Sequence, residues 1–96
     1  MELSFEWDPR KAAANHRKHG VSFEQAIPVF GDPLARIFSD GDHSAAEQRE
    51  IIVGHSQAKR LVLVCFPEPE EGRARIISAR RATRREQHDF EDHITL

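Results

Sequence analysis

One cysteine, no tyrosine and one tryptophan stand in a chain of 96 residues, and each shortage removes a class of reading. A lone cysteine cannot close an internal disulfide, and Cys65 lies in the apolar run Leu61–Phe66, where an inert buried thiol is the default. A reduced, cytoplasmic setting is the simplest expectation. No apolar run approaches the ~20 residues needed to cross a bilayer, so no membrane span is expected. The opening residues Met1-Glu2-Leu3-Ser4-Phe5-Glu6-Trp7-Asp8 lack a basic stretch followed by an apolar one and do not read as a secretory signal. The absence of a glycine-rich phosphate loop argues against nucleoside-triphosphate chemistry.

What is present fits one small domain spanning residues 1–96, a length that buries roughly 60–70% of the unfolded surface around a modest core. The net charge of −2 alone argues against a nucleic-acid binder, but the average hides an asymmetry. Between Arg73 and Arg85 lie six arginines and no acid, whereas Glu68–Glu71 carries three carboxylates. Local field, not net charge, decides where a phosphate docks. A charge run is often only a solvated face. Here every cation in the run is arginine, whose planar fork suits bidentate phosphate contacts.

The order of elements reads as α+β. Asp8-Pro9 opens a helix with an N-cap and a proline at the first helical position, and Gly20 closes it behind Arg17, Lys18 and His19. Ser22 and Gln25 form a capping box for a second helix with Phe23, Ala26, Ile27 and Phe30 on one face. Pro28 kinks that helix, and Gly31-Asp32-Pro33 ends it. Strands follow at Leu34–Ser39, Arg49–His55, Leu61–Phe66 and Arg73–Arg81, with turn chemistry at Ser39-Asp40-Gly41-Asp42. Thr83 and Glu86 cap a C-terminal helix through about His93. The expectation is two N-terminal helices, a four-stranded antiparallel meander and a final helix packed on the sheet, with Phe5 and Trp7 as a short edge strand.

Several separated blocks then carry a family resemblance. These are Phe5-Glu6-Trp7-Asp8, Lys11, Asn15, Lys18-His19-Gly20-Val21-Ser22-Phe23-Glu24 and Val29-Phe30-Gly31-Asp32-Pro33 in the first third. His43-Ser44, Glu47, Arg49, Gly54-His55-Ser56 and Arg60-Leu61-Val62-Leu63-Val64 follow, and Arg75-Ile76-Ile77-Ser78-Ala79-Arg80-Arg81-Ala82-Thr83 with Glu86 completes the set. The chain resembles the BrnT family of toxins over residues 5 to about 91. That resemblance implies a RelE-like fold, RNA cleavage, and neutralisation by a cognate BrnA-like antitoxin carrying a DNA-binding segment. BrnT chains often carry a tyrosine near the last helix, where this sequence has Phe90. A phenolic base is therefore not available to it.

Metal-free RNA cleavage needs a group to take the 2′-hydroxyl proton, one to protonate the departing 5′-oxygen, and cations for the charge gathering at phosphorus. Arg80 is the first candidate for the cations, with Arg60 second. The plainer role for Arg80 is a pairing with Glu86 that anchors the last helix. For proton transfer, His19 is a candidate whose alternative is a C-terminal cap, while His55 reads as a plain surface residue. Glu50 or Glu86 could act as a base, but each reads more simply as a salt-bridge partner. Lys18, Arg49, Arg75, Arg81 and Arg84 are candidate RNA contacts. Trp7 could stack on a base; a tryptophan beside a helix start is more often core. His16 and His19 share a helix face, yet no zinc motif joins them, and no metal or cofactor is expected.

These readings converge on a metal-independent endoribonuclease toxin acting on messages during translation. Its partners would be RNA, an antitoxin and, through the antitoxin, operator DNA. The competing reading is a non-catalytic scaffold in a DNA-binding repressor complex. A third, an unrelated domain with solvated charges, predicts no salt-dependent RNA binding.

Overall fold

Asp8 and Gly20 delimit the first helix as their chemistry requires. The computed structural model describes residues 3–39 and 49–94; helix α1 runs Pro9–His19. Asp8 accepts the Arg10 amide at 2.8 Å, and Gly20, at φ 72°, donates its amide to the His16 carbonyl. That left-handed conformation suits a residue without a Cβ. His16, Arg17, Lys18 and His19 occupy the last turn, where the helix dipole favours positive charge.

Ser22 opens α2 (Phe23–Ala26) with the expected reciprocal box: its hydroxyl accepts the Gln25 amide, and the Gln25 side chain accepts the Ser22 amide. The helix is shorter than expected. Pro28 has no amide hydrogen to return to Glu24, so the chain tightens into a 3-10 turn over Ile27–Gly31 instead of continuing with a kink. Phe23, Ala26 and Val29 are fully buried by this pair of segments, while Ile27 and Phe30 are half-buried. Burial of Phe23 alone contributes roughly 2–3 kcal/mol.

The main sheet contains β2 (Arg36–Ser39), β3 (Arg49–His55), β4 (Leu61–Pro67) and a strand Ser78–Arg81, paired antiparallel in that order. This is the expected meander, with one correction. The run 73–81 is two strands, not one. Its first part, Arg73–Arg75, is β5 and pairs in parallel with β1 (Ser4–Glu6) in a separate two-stranded sheet, so Ser78–Arg81 is β6. The partner changes between two adjacent residues: the Ile76 amide bonds Glu6, and the Ile77 amide bonds Cys65. The turn expected from Ser39 onward falls largely outside the described residues, as do His43, Ser44 and Glu47.

Alternation along β3 and β4 divides the core. Ile52, Val62, Val64 and Phe66 pack toward the N-terminal helices, joined by Val21, Phe23, Val29 and Ile76. Val53 and Leu63 face the other way, against Phe90 of α3 (Arg84–Ile94), with Ile51, Leu61 and Ala82 around them. Burial on both faces is why these strands read as continuous apolar runs rather than alternating ones. Trp7 is half-buried and meets Phe23 edge-on at 5.8 Å, a core position.

Asn15, the one buried residue of α1, closes the open edge of the sheet. Its amide nitrogen donates to the carbonyls of Val21 (3.0 Å) and Ala79 (2.8 Å), and its oxygen accepts the Ala79 amide at 3.1 Å. A side-chain amide thus takes the place of a neighbouring strand beside β6.

Candidate functional site

The β3–β4 hairpin places two cations beside a third from β6. Its loop closes through the Ser56 amide on the Arg60 carbonyl (2.9 Å) and the Lys59 amide on the Ser56 carbonyl (2.8 Å). Lys59 sits at φ 60°, the left-handed residue that a hairpin of this length needs. The Gln57 amide bonds the Gln25 carbonyl, which ties the loop to α2. Lys59 and Arg60 are therefore held at one end of the sheet, where Arg81, at the end of β6, joins them.

These three cations line an open cleft of about 340 Å³ together with His55, Gln87 and Glu91. Phe90 forms part of its floor. Arg60 and Arg81 also border a smaller hollow of about 200 Å³ reaching Gly20, Val21 and Gln25. The two arginines thus stand on a ridge shared by both hollows.

His55 is not the plain surface residue its sequence context suggested. It ends β3, with its side chain 41% exposed, and its ring meets Phe90 edge-on at 5.7 Å. Asp32 holds it twice: Oδ2 accepts the His55 backbone amide at 2.8 Å and lies 2.7 Å from ring Nδ1. The other carboxylate oxygen, Oδ1, accepts the Leu34 amide at 2.9 Å. Burial alone opposes charge on Asp32, but the Leu34 and His55 amides and the His55 ring outweigh it, and its pKa falls below the ordinary value. No local spacing links these residues, which are 23 positions apart. In sequence, Asp32 reads only as a helix stop.

The contact depends on Gly54. A Cβ there would lie 3.1 Å from Val29 Cγ1, 3.2 Å from Ala35 Cβ and 3.2 Å from Asp32 Oδ2. The missing side chain lets the segment after α2 press onto β3 and bring Asp32 within reach of His55.

The other sequence candidates fall elsewhere. Arg80 makes a two-pronged pair with Glu86, Nη1 to Oε1 and Nη2 to Oε2, both at 2.8 Å, and Nη1 also reaches the Arg81 carbonyl at 3.2 Å. Glu86 also accepts the Thr83 amide at 2.8 Å, while its own amide bonds the Thr83 hydroxyl at 3.1 Å, completing the expected capping box. The Arg80 guanidinium is the main reason that the Glu86 carboxyl is lowered to about 2, and the same bond raises the pKa of Arg80. A carboxylate so held is a weak base, and this geometry matches the helix-anchoring role for both residues.

Arg80 lines a different cleft, of about 410 Å³, with Arg49, Ile51, Cys65 and Ser78. The strand register separates the two clefts. His55 pairs with Leu61 at the hairpin end, Arg49 pairs with Pro67 at the far end, and Phe90 covers Val53 and Leu63 between them. Cys65 is half-buried along this second cleft rather than fully enclosed. Lys18 and His19 end α1 just before Gly20; Lys18 is exposed and His19 half-buried. Arg75 lies exposed on β5 opposite Glu6, Arg84 is exposed at the start of α3, and Glu50 is half-buried on β3. Among the described residues, no three His, Cys, Asp or Glu side chains are grouped to hold a metal ion.

The profile of the ribonuclease toxin BrnT of type II toxin-antitoxin systems matches residues 7–86. The chain belongs to the BrnT family. Its fold agrees with that assignment: the 1.1 Å crystal structure of the Brucella abortus ribonuclease toxin BrnT superposes with a TM-score of 0.66. That match covers 85% of this chain and 99% of the other at 23% identity. No curated protein sequence matches the chain. As a BrnT family member, the chain falls among ribonuclease toxins of type II toxin-antitoxin systems. None of its described helices is long and apolar enough to cross a membrane.

Proposed function

We propose that this BrnT family member is an endoribonuclease that cleaves RNA without a metal ion and thereby inhibits translation and growth. The observation that carries the proposal is the convergence of Lys59, Arg60 and Arg81 on one cleft beside an ordered histidine. Cations fixed in that way supply the charge stabilisation that phosphodiester cleavage demands. Arg60 is the phosphate clamp of this reading, with Arg81 and Lys59 beside it. Lys18 and His19 precede Gly20 of the adjoining hollow, while Arg49, Arg75 and Arg84 lie outside the cleft and are proposed only as further contacts along the RNA strand. Arg80 supports the site from below by fixing α3 through Glu86.

The family context supports a cognate BrnA-like antitoxin as partner, with operator DNA bound through the antitoxin, and a cytoplasmic location. The deciding experiment is induced expression of the native chain, Arg60→Ala and Arg81→Ala in a host, with total RNA and growth followed together. Growth arrest with RNA loss, relieved in both variants, is the expected result. Normal growth with intact RNA and soluble native protein would sink the ribonuclease reading. It would leave the scaffold reading.

A further inference from the structure

The strongest unassigned feature is the Asp32–His55 pair at the wall of the cationic cleft. An ionised carboxylate only accepts hydrogen bonds, so the 2.7 Å contact requires the imidazole proton on Nδ1. In the neutral ring, the lone pair then belongs to Nε2, on the edge away from Asp32. The ring is constrained on two further sides: its backbone amide is bonded to the same Asp32 oxygen, and Phe90 packs against it. Asp32 itself is held by the Leu34 amide and is only 10% exposed. A histidine with fixed tautomer and fixed orientation, its side chain 41% exposed on a cleft that three cations also line, has the parts of a proton-transfer catalyst.

We propose that His55 is the general base of RNA cleavage in this protein and that Asp32 is its positioning residue. The inference rests on the ribonuclease reading above. Nε2 takes the 2′-hydroxyl proton as the bond from the 2′-oxygen to phosphorus forms. The bond from phosphorus to the 5′-oxygen breaks, leaving a 2′,3′-cyclic phosphate. The imidazolium returns the same proton, through solvent, to the departing 5′-oxygen, and the balance closes without an outside reagent. Arg60 and Arg81 neutralise the charge on the pentacoordinate phosphorus. Asp32 stabilises the imidazolium formed in the first half of this transfer.

Asp32 from the segment after the 3-10 turn and Glu91 from α3 attract the imidazolium as it forms, while Lys59 and Arg60 of the hairpin and Arg81 of β6 repel it. Asp32→Asn removes the carboxylate that fixes the ring and stabilises that cation, so it is expected to slow cleavage.

The test uses the full chain, purified, with an RNA oligomer as substrate and its 2′-deoxy counterpart as a non-cleavable probe. His55→Ala is expected to lower kcat by about 10²–10⁴-fold. Affinity for the deoxy probe should stay within about threefold of wild type, because the cations are untouched. Free imidazole should restore part of the lost rate, which a structural defect would not allow. His55→Ala leaves the Leu34 and backbone contacts of Asp32 in place, so it remains informative if Asp32→Asn does not fold. Cleavage by His55→Ala within about threefold of wild type overturns the inference while the ribonuclease reading stands. A loss that imidazole does not rescue, or one matched by lost probe binding, overturns it too. No cleavage by the wild-type chain overturns the ribonuclease reading first, and the inference with it.

Discussion

The side-chain amide of Asn15 occupies both backbone groups of Ala79, 64 residues away. It thereby joins α1 to the outer strand of the sheet and satisfies a buried edge that would otherwise lack partners. Asn15→Ala leaves the amide and carbonyl of Ala79 and the carbonyl of Val21 unpaired in a buried setting. The expected loss is about 3 kcal/mol or more, given about 1–3 kcal/mol for each of the three groups left without a partner. For a domain of this size, each lost kcal/mol lowers Tm by roughly 4–8 °C, so thermal melting by circular dichroism reads it directly. A change of less than about 1 kcal/mol would show that water replaces the amide.

Glu86 carries an acid-dependent part of the stability. Its folded pKa of about 2 lies below the ordinary value of 4.5, so the linked stability is fully present above pH 4.5 and disappears as pH falls toward 2. Glu86 is 33% exposed and its partner 41%, so solvent screening limits the contribution to about 1–2 kcal/mol. Denaturation between pH 5 and 2 should show this slope, and Glu86→Gln should flatten it. An unchanged slope would assign the acid sensitivity to other carboxylates.

Arg80→Ala tests the anchoring role. It releases α3 and leaves the Glu86 carboxylate without its partner, with an expected stability loss of about 1–3 kcal/mol. A double-mutant cycle with Glu86→Ala should report coupling between them of about 1–2 kcal/mol. If Arg80 also served the RNA phosphate, its loss would reduce cleavage well beyond Glu86→Ala at equal folded fraction. Equal reductions would place its role in support alone.

Lys59 joins backbone strain to charge. At φ 60°, a residue with a Cβ bears a cost of about 1 kcal/mol that glycine avoids. Lys59→Gly is therefore expected to leave stability unchanged or raise it by up to about 1 kcal/mol. Removing the cation should weaken RNA binding and reduce the slope of log K against log salt by about 0.7. Binding titrations from low to moderate salt measure both. Weaker affinity at an unchanged slope would mean that Lys59 makes no phosphate contact.

Gly54→Ala should damage fold and site together. Contacts of 3.1–3.2 Å to Val29, Ala35 and Asp32 require neighbouring groups to shift, at about 1–3 kcal/mol. The histidine ring resonances of His55 should move with the displaced carboxylate. Unchanged His55 resonances would show that the segment carrying Asp32 accommodates the methyl group without losing its contact.

Much of this protein was legible before its structure, because several signals act over three or four residues. Asp8 with Gly20, Ser22 with Gln25 and Thr83 with Glu86 set helix ends through bonds that the local chain alone can make. Apolar runs located β3 and β4, and the order of elements located the meander. The sequence by itself therefore determined the α+β class, most element positions and the density of arginine near the C-terminus. Tertiary structure decided where those groups met. It divided 73–81 between two sheets, since the Ile76 and Ile77 amides found acceptors on opposite sides, Glu6 and Cys65. It placed Arg60 with Arg81, and it brought Asp32 across 23 positions to His55 through the space left at Gly54. Such contacts depend on distances through the folded molecule, and spacing along the chain carries no measure of them.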